Sequence, residues 1–175
     1  MIKEERAVNL QEVLDFREEK DQLQKALMEK YEQAVVVSFG MNIPGKVKVT
    51  KESYWAFVYG CKTIESLFHD LGLVVYRKRA QCCGAGNSAI YALGGSSIRE
   101  MKEKMVEIEE NHPLGRLFDI DVMEKGSSIS RVEIGREPRK CLLCGQDAKL
   151  CCRSVAHSQE EVAGKAGEII RQYLN

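Results

Sequence analysis

The sequence has no net charge: 26 lysines and arginines balance 26 aspartates and glutamates over 175 residues. Proteins that seek nucleic acid or an anionic membrane carry a positive surplus, so neither partner is expected and electrostatic recognition must be local. Also missing is any run of about 18 apolar residues, which argues against a membrane-spanning helix. Residues 1–20 are too densely charged for a secretory leader. A soluble, cytoplasmic protein is the expectation. Seven cysteines, an odd number without an export signal, are then expected as reduced thiols or metal ligands rather than disulfides. The length suits one domain over residues 1–175, divided into an α/β core over 34–135 and a Cys-rich appendage with a terminal helix over 136–175.

Residues 9–33 have helical composition, with Leu10, Val13 and Leu14 on one face and Leu23, Ala26, Leu27 and Tyr31 on another. The apolar stripe rotates near Arg17 to Lys20, which predicts two helices or one bent helix. Ala34 to Phe39 is a β-branched run and reads as a buried strand. Residues 51–71 read as a helix capped by Thr50 or Ser53 and stopped at Gly72. Strands over 73–80 and 88–93 follow, joined through Cys82-Cys83-Gly84-Ala85-Gly86-Asn87. The G-x-G in that join has no helix after it, so a hairpin is expected rather than a phosphate loop. A helix over 98–110, capped by Ser96 or Ser97, ends at His112-Pro113. The order strand, helix, strand, strand, helix, strand is the split βαβ plan. The predicted class is α+β: a ferredoxin-like βαββαβ core with an N-terminal helical segment, an added hairpin strand over 128–134, and a Cys-rich C-terminal segment ending in a helix over 158–174.

Within this plan Gly115 to Val122 sets two carboxylates into an apolar run. A strand period of two places Asp119 and Asp121 on one face, their Cβ atoms ~7 Å apart. They could be two solvated acids on a strand edge. Alternatively they share a hard divalent cation, Mg²⁺, which holds a polyphosphate for attack. The added strand would bring Arg131 back alongside the acids. Arg131, Arg136, Arg139 and Lys140 are either a solvated edge or bidentate phosphate donors beside that metal.

Cys141-x2-Cys144 forms a tight knuckle, with Cys151 and His157 following at spacings that could wrap one tetrahedral Zn²⁺. Four such ligands leave no open position, so that site would be structural. A buried thiol cluster or a redox pair would use the same residues. Cys152 competes with Cys151 for one ligand position.

Read together, His112-Pro113-Leu114-Gly115-Arg116-Leu117-Phe118-Asp119-Ile120-Asp121-Val122, then Ser130-Arg131, then Pro138-Arg139-Lys140-Cys141-Leu142-Leu143-Cys144 with Cys151 and His157 resemble one family. This is the apo-citrate lyase phosphoribosyl-dephospho-CoA transferase family, the holo-acyl-carrier-protein synthases of citrate lyase. The resemblance is dense over 112–157 and thins upstream to Val37-Ser38-Phe39, Pro44-Gly45 and Arg17-Glu18. It implies a nucleotidyltransferase-type enzyme whose donor is 2′-(5″-triphosphoribosyl)-3′-dephospho-CoA and whose acceptor is the citrate lyase acyl carrier protein. A carrier serine would attack the α-phosphate, and diphosphate would leave. Asp119 and Asp121 would hold Mg²⁺, Arg116, Arg131 and Arg139 would grip the diphosphate, and His112 is a candidate proton acceptor. Two other readings use the same residues: the malonate decarboxylase counterpart, and a non-catalytic zinc-bearing module that docks on the lyase. At this stage Arg17-Glu18 reads as a surface ion pair.

Overall fold

A computed structural model describes residues 5–175. It contains helix α1 (Leu10–Lys30), strand β1 (Val35–Met41), helix α2 (Lys51–Asp70), strands β2 (Val74–Cys83) and β3 (Gly86–Gly94), and helix α3 (Ile98–Asn111). Strands β4 (Phe118–Glu124) and β5 (Ser127–Ser128) and helices α4 (Ala148–Arg153) and α5 (Gln159–Leu174) complete it. Four helices begin with the same local device. Asn9, Thr50, Ser97 and Ser158 each accept the amide N–H three residues on, and the side chains of Glu12, Ser53, Glu100 and Glu161 return the bond. These reciprocal caps satisfy orphan donors, so the helix starts are encoded locally.

The sheet is antiparallel with order β2-β3-β1-β4-β5. The first four strands reproduce the ferredoxin-like plan, with β3 inserted between β1 and β2 and β1 inserted between β3 and β4. The β-branched run in β1 is buried on both faces, as a central strand covered on each side requires. On one face Val35, Val37 and Phe39 join Phe57, Ile64, Met101, Phe118 and Ile120 in the main core, to which α5 contributes Ala166 and Ile170. On the other face Val36, Ile90 and Ala92 pack under Leu27 of α1.

Two expectations are corrected. The N-terminal segment is one 21-residue helix, one of the two forms expected, and Leu23, Leu27 and Tyr31 of its second face pack on the core, but Leu10 and Leu14 of the first are exposed. Its sheet-facing stripe runs instead through Phe16, Lys20, Gln24 and Leu27, because Gln24 donates to buried Ser38 Oγ at 2.8 Å. The strand expected over 128–134 is only the two residues of β5, paired with Met123 and Glu124 across a Lys125-Gly126 turn with both φ positive. Beyond it Val132–Ile134 forms a 3-10 turn. The outer edge of β4 over 118–120 is therefore met by side chains: Arg139 donates to Phe118 O (2.8 Å), Lys102 donates to Ile120 O (3.0 Å), and Glu109 accepts from Ile120 N (3.2 Å). Covering an open strand edge in this way blocks edge-to-edge pairing. No helix among the described residues is long and apolar enough to cross a membrane.

Candidate functional site

Strand β4 alternates buried Phe118, Ile120 and Val122 with exposed Asp119 and Asp121. The acids consequently share the face that carries α1. Cross-strand register then fixes their neighbours: Asp119 faces Gly40, which faces Ser88, while Asp121 faces Ser38. Gly40 contributes no side chain, so a hollow of about 150 Å³ opens beside it. Its walls include Asp119, Ser88, Arg17, Lys20 and Lys48. Ser88 is buried and its Oγ has no hydrogen-bond partner.

The electrostatics are mixed and incomplete. Lys20 Nζ lies 4.0 Å from Asp121 Oδ2. Partial burial, then the Asp119 charge, hold the Asp121 carboxyl above its ordinary range, against the pull of Lys20, Lys102 and Arg139. Lys48 donates to Ile43 O at 2.8 Å. Burial, then the Arg17 guanidinium, hold its ammonium below the ordinary range. Asp119 and three cations thus line one small polar hollow, with Asp121 two residues along the same strand face, a set suited to a divalent cation beside phosphate oxygens.

A larger cleft of about 700 Å³ adjoins it, with Phe16, Ala85 and Asn87 lining both. The Phe16 ring lies where a Cβ on Gly86 would stand, 2.7 Å away, so the glycine at the hairpin end allows α1 to close on the sheet.

The other residues singled out from sequence have partners of their own, although Arg139 is near enough for its charge to act on Asp121. Arg131 and Arg139 converge on buried Glu109, at 3.2 and 2.5 Å. Arg131 also pairs with Glu110 at 3.4 Å. Arg116, in the 3-10 turn Gly115–Leu117, donates to the carbonyls of Lys140 and Cys141 and so ties the cysteine knuckle to the core. His112 caps α3, accepts the Leu114 N–H on Nδ1 at 3.0 Å, and rests against the Phe118 and Tyr173 rings. Its imidazole is held below the ordinary value by burial. Phe118 leaves β4 on the face opposite Asp119, so His112 and the acids are on different sides of the sheet.

The cysteine cluster assembles. One ligand atom from each of Cys141, Cys144, Cys151 and His157 lies within 4.8 Å of the others. Tetrahedral ligands at ~2.3 Å from a metal stand ~3.7 Å apart, so small shifts would close the set on an ion. His157 Nε2 is buried without a partner, as a ligand nitrogen lacking its metal would be. The Leu143 N–H approaches Cys141 Sγ at 3.5 Å. The His157 hydrogen bond lowers the Cys144 thiol to about 6, while the bond to Cys144 raises Cys151 to about 12. One thiolate is thus already favoured. The cluster takes Cys151 and leaves Cys152 exposed. It could bind a metal ion.

Sequence reading missed Lys20, Lys48 and Ser88. For Lys20 part of a signal existed: its spacing of four from Phe16 and from Gln24 puts it on one helix stripe with them, though not which stripe meets the sheet. Lys48 and Ser88 carry no local signal, since only the fold brings them beside Asp119.

Comparison with known proteins agrees with this picture. The family model described as apo-citrate lyase phosphoribosyl-dephospho-CoA transferase matches residues 8–173. A "Probable apo-citrate lyase phosphoribosyl-dephospho-CoA transferase" of Streptococcus pyogenes serotype M1 is 31% identical over 173 residues, covering 97% of this chain and 88% of that protein. An "Apo-citrate lyase phosphoribosyl-dephospho-CoA transferase" of Escherichia coli O7:K1 is 31% identical over 160 residues, covering 91% and 86%. "Protein CitXG" of Leuconostoc mesenteroides subsp. cremoris is 33% identical over 168 residues, covering 95% of this chain, which spans only 36% of that longer protein. On a match across nearly its whole length, the chain belongs to the apo-citrate lyase phosphoribosyl-dephospho-CoA transferase family.

Proposed function

We propose that the chain transfers the prosthetic group from 2′-(5″-triphosphoribosyl)-3′-dephospho-CoA to a serine of the citrate lyase apo-acyl carrier protein, releasing diphosphate. The observation that carries this reading is the D-x-D pair on β4, whose Asp119 lines a hollow together with Arg17, Lys20 and Lys48. Family membership supplies the identity of donor and acceptor.

In the reaction the bond from serine Oγ to the α-phosphorus forms as the bond from that phosphorus to the bridging oxygen of the β-phosphate breaks. The residues fit Mg²⁺: two carboxylates on one face offer hard oxygen ligands, and Asp121 is destabilised as an anion until a cation joins it. Bound Mg²⁺ would offset phosphate charge and favour loss of diphosphate. Asp119 and Asp121 would hold the cation, with Lys20 at 4.0 Å orienting Asp121. Diphosphate binding falls to Arg17, Lys20 and Lys48, because Arg131 and Arg139 are engaged by Glu109 and Arg116 by backbone carbonyls. We assign the Cys3His cluster to structural Zn²⁺, since four ligands close the coordination sphere.

The test is transfer in vitro. Apo-carrier is incubated with the triphosphoribosyl donor with and without Mg²⁺, and the carrier is weighed by mass spectrometry. A Mg²⁺-dependent mass gain that falls by about 100-fold or more in Asp121→Asn is expected. Intact, folded protein with authentic donor and no mass gain would overturn the reading.

A further inference from the structure

We propose that the donor lies across both hollows, its triphosphate against Arg17, Lys20, Lys48 and Ser88 Oγ in the smaller one and its purine in the larger cleft beside Phe16 and Trp55. This rests on the transferase reading and adds to it where each part of the donor binds.

Charge decides the orientation. The smaller hollow has three cations, and its two cations farther from Asp121, Arg17 and Lys48, face no carboxylate partner within ion-pair distance among the described residues. Burial, then the Arg17 guanidinium, disfavour the Lys48 charge, a cost that a polyanion between the two cations would reduce. Ser88 Oγ, 1% exposed and without a partner, offers a donor on the same face and rung as Asp119. A buried hydroxyl left unpaired costs free energy unless a ligand completes it. The volume of about 150 Å³ has room for phosphate groups.

The larger cleft has the opposite character. Glu12, Asp15 and Glu19 line it, and its arginine, Arg6, is bound by Glu12. Its acidic lining disfavours the triphosphate relative to the three cations of the smaller hollow. Phe16 and half-exposed Trp55 supply flat apolar surface, and a volume of about 700 Å³ lies in the range of nucleotide-sized ligands. The two hollows meet at Phe16 and Asn87, so one molecule can occupy both.

Trp55 is the single tryptophan of the chain and reports directly on the cleft. The experiment uses two probes with the full-length protein: tripolyphosphate with Mg²⁺ by calorimetry, and 3′-dephospho-CoA by Trp55 fluorescence and calorimetry. The expectation is that 3′-dephospho-CoA alters Trp55 emission. Arg17→Gln and Lys48→Gln should each weaken tripolyphosphate about tenfold, with 3′-dephospho-CoA affected less than about threefold. Trp55→Ala should weaken 3′-dephospho-CoA and leave tripolyphosphate unchanged. Arg17 and Trp55 are exposed enough that their variants should fold, which circular dichroism checks. Unchanged tripolyphosphate affinity in both Arg17→Gln and Lys48→Gln, or no response of Trp55 to 3′-dephospho-CoA, overturns the proposal. Transfer assays separate the two failures. Wild-type transfer with an unaltered donor KM in these variants refutes the placement alone, whereas probe binding without any transfer refutes the transferase reading.

Discussion

Ser88 and Asp119 stand on the same face of the sheet with only Gly40 between them, because each is the cross-strand partner of that glycine. The hollow exists because the middle position of this rung has no side chain.

Gly40→Val should fill that space. A Cβ there would meet Asn87 O at 3.4 Å, an ordinary contact, and valine suits a strand. The expected outcome is a Tm within a few degrees of wild type, with donor binding weakened at least about tenfold. Thermal unfolding and calorimetry would check it.

Glu109→Gln should act on stability. Glu109 is buried and is the counter-charge for both Arg131 and Arg139. Breaking a buried pair on one side costs about 3 kcal/mol, which for a domain of this size lowers Tm by roughly 5–12 °C. A melting curve unchanged to within a degree would contradict the role of this triad in covering the β4 edge.

Metal analysis should find about one zinc per chain, lost in Cys144→Ala and kept in Cys152→Ala, since only Cys144 belongs to the cluster. Removing the metal by chelation should lower Tm, because the knuckle then holds through Arg116, the packing of Leu142 on the core and short-range bonds.

Acidification should destabilise the protein through His112. Burial depresses its folded pKa below the ordinary value near 6.5. Between the two values the unfolded chain takes up the proton and the folded chain does not, so stability is full above about pH 6.5 and falls as pH drops through the window. His112→Asn, whose side-chain oxygen can accept the Leu114 N–H, should flatten the Tm slope between about pH 7 and 5. An equal slope in wild type and variant would remove His112 as the cause.

The sequence by itself determined the helix starts, the βαββαβ order, the strand hairpin at Gly84-Ala85 and the placing of Asp119 and Asp121 on one face. Capping, turn chemistry and a period of two act over a few residues and need no distant partner. The four members of the Cys3His cluster were also legible, though not the physical choice of Cys151 over Cys152, which follows from their places on the short helix α4. Tertiary structure alone decided which face of α1 meets the sheet, since Leu10 and Leu14 satisfy the helical period as well as Phe16 and Lys20 do. It also moved Arg131 away from the acids: an added strand would have returned it, but the chain leaves the sheet after Ser128 and Glu109 captures the guanidinium. Arg17, Lys48, Ser88 and Asp119 are far apart in sequence and meet around one glycine only once strand register is fixed, and register depends on the whole core.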